Sequence, residues 1–170
     1  MESEEKKNLY NLKSFFLTTI SEVGGKGFSL IKMTKAGLKV PPGFILTVNY
    51  FQTWKDKLKL TKNWADFINS STENEKMLHL KSLKSKCFDL EFSNQQISEL
   101  NFAMNELSNF SLYAVRSSSP EEDLEGASFA GMYETVLGVN IKTLKTSIIR
   151  VFASCLDQRI YEYKLGKGEL

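Results

Sequence analysis

Short unbroken apolar runs alternate along this chain with stripes spaced by three and four, and the two patterns predict different elements. Phe44-Ile45-Leu46-Thr47-Val48 follows the turn Pro41-Pro42-Gly43 and predicts a strand, as do Leu112-Tyr113-Ala114-Val115, which ends at Arg116, and Thr135-Val136-Leu137. Ile97, Leu100, Met104 and Leu107 fall on one helix face, and Ser93 with Gln96 three residues on supplies a capping box in front of it. Leu144, Ile148, Val151, Cys155 and Ile160 form a stripe that predicts one long helix closed by Gly166. Gly24-Gly25-Lys26-Gly27 leads into a short predicted helix from about Phe28 to Ala36, with Gly37 as its left-handed cap. Strands and helices without regular βαβ alternation predict an α+β domain.

Glycine and proline divide the chain further. Residues 9 to 51 and 111 to 140 are turn-rich, whereas residues 52 to 110 contain neither residue type and read as helices. Trp54 and Trp64, with Phe51 and Phe67, fall in that helical region as core positions, and Lys55, Lys57 and Lys59 as a solvated face.

Composition narrows the functional classes. The 170 residues are 42% hydrophobic and 25% charged, the balance of a folded globular chain, which excludes a disordered tail or a disulfide-built miniprotein. Lys and Arg number 22 against 20 Asp and Glu, and the spread of the basic residues argues against a nucleic-acid footprint. Cys87 and Cys155, with one histidine and no CxxC, argue against a zinc site and read as reduced, buried thiols. No apolar run approaches the ~20 residues of a membrane span, and the acidic-then-basic start lacks a secretory pattern, so the expected location is cytoplasmic.

Three segments could carry chemistry. Gly24-Gly25-Lys26-Gly27 at a helix mouth places free amides, a favourable dipole and a lysine where a polyphosphate could bind, although the GxxxxGK[ST] spacing is absent and a plain turn is the alternative. Ala114-Val115-Arg116-Ser117-Ser118-Ser119-Pro120 delivers an arginine at a strand end, where its fork suits a phosphate oxygen pair; a partner among Glu121, Glu122 and Asp123 is the alternative. Gly126 to Thr135 alternates small and apolar residues, which fits a loop closing over phosphates with its amides or a hairpin turn.

In this order the three segments resemble the amino-terminal nucleotide-binding domain of the phosphoenolpyruvate synthase and pyruvate, phosphate dikinase family. The resemblance lies in VGGKGFSLIKMTKAGLKVPPGFILT, YAVRSSSPEEDLEGASFAGMYETVLGV and RVFASCLDQRIYEYKLGKG, and runs from about Leu9 to Gly168. It implies an ATP-grasp fold, a mixed sheet with flanking helices, with residues 1–170 the first part of that domain, 1–8 a flexible start and 52–110 a variable helical region. It also implies that Lys26 and Arg116 bind the ATP phosphates. Ser128, Phe129, Ala130, Gly131, Met132 and Thr135 then belong to the glycine-rich loop that covers them, with Gly131 the least replaceable. That loop is expected to close only on ligand.

The chain also departs from the family's pattern. The family's domain is about twice this length, and its second half holds the adenine pocket and the Mg²⁺ ligands. The acids Glu121, Glu122, Asp123 and Glu125 read as caps or ion-pair partners, and Arg159 as a structural ion-pair residue. His79, the only histidine, lacks a phosphohistidine context and reads as structural. The expected function is the ATP-binding part of a phosphoenolpyruvate synthase-like enzyme, inactive alone, whose phosphoryl group passes through a histidine on another domain to pyruvate. The alternatives are part of a rifampicin phosphotransferase-like enzyme and a non-catalytic half-domain that binds a partner.

Overall fold

Thr19 opens the first helix. Its N–H donates to the Glu22 carboxylate at 2.9 Å while the Glu22 N–H donates to the Thr19 carbonyl at 3.1 Å, so amides of the first turn are met locally. In the computed structural model, which describes residues 7–13, 18–120 and 133–167, helix α1 spans Ile20–Lys35. It thus begins well before Phe28, because the Thr19–Glu22 box starts it and the glycine run only interrupts it. Gly24 (φ 72°, ψ 167°) is the interruption. Gly37 (φ 76°) closes α1 as the sequence predicts: the Gly37 N–H donates to the Thr34 carbonyl and the Leu38 N–H to the Met33 carbonyl, both at 3.0 Å.

The remaining helices are α2 (Gln52–Lys59), α3 (Lys62–Asn69), α4 (Glu73–Lys86), α5 (Asn94–Asn105), α6 (Leu144–Ala153) and α7 (Gln158–Lys167). The strands are β1 (Leu9–Asn11), β2 (Phe44–Leu46), β3 (Tyr113–Arg116) and β4 (Thr135–Val139). Among the described residues they form two antiparallel two-stranded sheets, β1–β2 and β3–β4, where the family resemblance implies a mixed sheet. The α+β character stands, and the chain divides into two compact units.

The first unit holds β1, α1, β2, α5 and the segment from Ser118. Leu9 pairs with Leu46 and Asn11 with Phe44, and Tyr10, Leu12, Val23, Ile31 and Ile45 form the core beneath the ribbon. The predicted capping box starts α5: the Gln96 N–H donates to Ser93 Oγ at 3.2 Å and the Ser93 N–H to Gln96 Oε1 at 2.9 Å. Gln96 is buried, and its amide donates to the Tyr50 carbonyl at 2.7 Å while the Tyr50 hydroxyl donates to the Gln96 carbonyl at 2.9 Å. This reciprocal pair satisfies groups that would otherwise be costly to bury.

The second unit holds α3, α4, α6, α7 and the β3–β4 ribbon, with α2 from Thr53 on. Trp54 is fully buried, as expected of a core position, with its ring edge-on to Phe152 at 5.2 Å and its N–H donating to the Glu91 carbonyl at 3.0 Å. Trp64 and Phe67 are half-buried, and Phe67 meets Tyr161 edge-on at 5.6 Å. The stripe from Leu144 to Ile160 is not one helix. A 3-10 turn at Ser154–Leu156 and extended Asp157 separate α6 from α7, and α7 runs past Gly166 to Lys167. The tighter turn shifts the phase of the stripe, so Cys155 is exposed where the sequence predicts a buried thiol. No helix among the described residues is long and apolar enough to cross a membrane.

Cys87 is fully buried, and that burial pushes its thiol from 9.0 up to about 12, the charge of Cys155 adding and Lys84 opposing. In the unfolded chain the thiol loses its proton near 9, so between pH 9 and 12 the folded state holds a proton that the unfolded state has lost. Stability therefore falls as pH rises through that window, by up to ~1.4 kcal/mol per pH unit from this group. Urea unfolding of the native chain and of Cys87→Ala at intervals from pH 8 to 12 checks this. The substituted chain starts less stable and declines with the shallower slope; equal slopes would remove Cys87 from the account.

Candidate functional site

The break in α1 is held by a segment 91 residues away in sequence. The Gly27 N–H donates to Ser118 Oγ at 2.8 Å, the Ser118 hydroxyl donates to the Val23 carbonyl at 2.7 Å, and the Gly25 N–H donates to the Ser119 carbonyl at 3.3 Å. The approach is close enough that a Cβ on Gly24 would lie 2.0 Å from the Ser118 carbonyl oxygen. Gly24 is thus glycine for two reasons, its positive φ and the backbone pressed against it. The GGKG fragment and Ser118-Ser119, separate in sequence, meet here inside the first unit. Lys26 sits half-buried between the two anchored amides.

Arg116 and Thr135 belong to the second unit, where they are direct cross-strand partners at the end of the β3–β4 ribbon from which the connection between the strands leaves. Partners in an antiparallel pair share a face, and here both side chains are on the exposed face with Ala114 and Leu137. Tyr113, Val115, Val136 and Val139 turn the other way, toward α6. The register shifts between Tyr113 and Val115, with Gly138 at φ 66°, a bulge that lets both Val136 and Val139 face inward. The entrance to β4 is anchored as well. The Glu134 carboxylate pairs with Arg150, its N–H donates to the buried Ser154 hydroxyl at 3.3 Å, and buried Tyr133 packs on Ile160 and Tyr163.

Ser128, Phe129, Ala130, Gly131 and Met132, and the acids Glu121, Glu122, Asp123 and Glu125, lie outside the described residues. Among the described residues, no group of three or more His, Cys, Asp or Glu side chains could hold a metal ion. His79 is half-buried on α4. Arg159 is exposed at the start of α7, on the wall of a cavity it shares with Arg150 and with Lys84, which pairs with Asp157 at 2.6 Å. Reading from sequence missed Ser118 as a structural partner of the glycines; the run of three hydroxyls after Arg116 was its only signal.

The cradle makes a sharp comparison between two glycines. Gly24→Ala combines positive-φ strain with a backbone clash and is expected to cost ~3 kcal/mol or more. Gly37→Ala shares the positive φ but meets nothing within 4 Å, and should cost ~1 kcal/mol. Thermal unfolding of both variants decides: equal losses would mean that contact with Ser118 imposes nothing at Gly24.

Residues 20–169 match the family model described as "Pyruvate phosphate dikinase, AMP/ATP-binding domain". The chain is 37% identical over 145 residues to a protein of Bacillus subtilis named "Uncharacterized phosphotransferase YvkC", covering 83% of this chain and 15% of that protein. It is 31% identical over 167 residues to a phosphoenolpyruvate synthase of Neisseria meningitidis, covering 89% of this chain and 21% of the relative. A phosphoenolpyruvate synthase of Escherichia coli is 27% identical over 163 residues, with 89% and 21% covered. The chain thus spans about a fifth of the length of these relatives, and with its glycine-broken helix and its arginine-terminated strand it belongs to the pyruvate phosphate dikinase AMP/ATP-binding domain family.

Proposed function

We propose that this chain is the phosphate-binding part of a nucleotide domain of ATP-grasp type in a cytoplasmic, phosphoenolpyruvate synthase-like phosphotransferase. The observation that carries the reading is the pairing of Arg116 with Thr135 on the exposed face of the β3–β4 ribbon, within a chain of an ATP-binding family. The guanidinium fork takes two phosphate oxygens, and the Thr135 hydroxyl beside it donates to a third. Lys26 adds a compact charge on a stem whose backbone is anchored at both neighbours. In phosphoryl transfer most of the work is positioning and neutralising charge, which is what such groups supply. Ser128 to Met132 are the loop that covers the phosphates in this reading.

Mg²⁺ arrives with ATP. In this reading its protein ligands belong to the second half of the family's domain, and no step runs through the metal. In the whole enzyme the phosphoryl group passes from ATP to a histidine on another domain and then to pyruvate. The recurrence of phosphoenolpyruvate synthases among the relatives favours pyruvate over an antibiotic as the acceptor.

Calorimetric titration with Mg-ATP of the native chain, Lys26→Ala and Arg116→Ala tests the reading. Each substitution removes a charged hydrogen bond worth ~1.5–3 kcal/mol, so each is expected to weaken binding roughly ten- to a hundredfold. A folded chain that binds no Mg-ATP, or variants that bind as the native chain does, would refute it.

A further inference from the structure

We propose that Ser118 is the positioning residue for Lys26, and that the glycine amides around Lys26 are committed to the protein itself rather than to phosphate. This inference rests on the reading of Lys26 as a phosphate-binding residue and adds the group that aims it. A helix restarting after a break exposes amides that have no acceptor in the preceding turn. At the α1 break those amides are aimed inward: the Gly27 N–H goes to Ser118 Oγ at 2.8 Å and the Gly25 N–H to the Ser119 carbonyl at 3.3 Å. Two of the donors that a helix mouth would offer an anion are therefore already occupied, and on the proposed reading the Lys26 side chain is what this segment contributes to the phosphates.

The Ser118 hydroxyl also fixes the angle of the break. It accepts from Gly27 on the far side of Gly24 and donates to the Val23 carbonyl on the near side, at 2.7 Å. One oxygen thus ties the two arms of α1 together across the one residue that is not helical. The space is filled: a Cβ on Gly27 would meet Ile45 Cδ1 at 3.0 Å and Ser118 Oγ at 3.2 Å. Lys26 lies between the two anchored amides, so the direction in which its stem leaves the helix follows from where Ser118 Oγ holds the Gly27 amide and the Ser119 carbonyl holds the Gly25 amide. Removing the hydroxyl strands a donor and an acceptor and frees that direction.

The test is a double-mutant cycle on the 170-residue chain with Mg-ATP as probe, folding being followed by far-UV circular dichroism. Ser118→Ala is expected to weaken binding about tenfold in the native background and less than about twofold in a Lys26→Met background, because it acts through Lys26. Ser118→Thr keeps the hydroxyl and is expected to restore most of the affinity, and it carries the test if the alanine variant does not fold. A Ser118→Ala effect of the same size in both backgrounds, or no effect while Lys26→Met weakens binding, would overturn this inference alone. If Lys26→Met binds as the native chain does, the phosphate reading of Lys26 falls, and this inference falls with it.

Discussion

The contact between Gly24 and the backbone of Ser118 is the constraint on which the geometry around Lys26 depends. A side chain of any size at Gly24 would intrude on a carbonyl oxygen, and no other residue type takes its dihedrals without strain. Around that contact one serine hydroxyl serves as acceptor and donor at once. The helix is bent there for an identifiable reason, a glycine with an inserted side chain, and its bend is defined because the insertion is hydrogen-bonded on both sides.

The second unit solves a related problem with different means. A two-stranded ribbon is marginal alone and needs a packed face; β3 and β4 obtain one by turning Tyr113, Val115, Val136 and Val139 toward α6. The bulge at Gly138 makes that possible, because two valines three positions apart would otherwise face opposite ways. With the inner face fixed, Arg116 and Thr135 have only the outer face left. The anchors at Tyr133 and Glu134 hold the strand start next to Thr135, so the polar pair rests on an apolar foundation and an ion pair beside it.

Much of this was legible in the residues. The capping box at Ser93, the cap at Gly37, the strands at Phe44, Tyr113 and Thr135 and the burial of Trp54 all follow from local rules, since each depends on neighbours a few positions away. What escaped depends on distant partners or on phase. The start of α1 at Ile20 was hidden because a glycine run ordinarily ends a helix, whereas here Gly24 alone leaves helical geometry and the helix resumes after it. The split between α6 and α7 was hidden because a 3-10 turn keeps the apolar spacing while rotating Cys155 outward. The Ser118 bridge spans 91 positions, and the run of three hydroxyls after Arg116 does not say which of them reaches the glycines or where. At the candidate site the residue types were readable and Lys26, Arg116 and Thr135 were named, but the pairing of Arg116 with Thr135 required the register.

That register also sets which changes of length the chain can absorb. Side chains in a strand alternate with period two, so deleting one residue between Thr135 and Gly138 would send Thr135 to the α6 side of the ribbon, or carry the bulge away from Val139. The connection between Arg116 and Thr135 is under no such parity rule, since closing a longer loop costs only slowly rising entropy. Insertions that lengthen the connection would leave the two side chains opposite each other, while a single deletion a few residues further on would separate them.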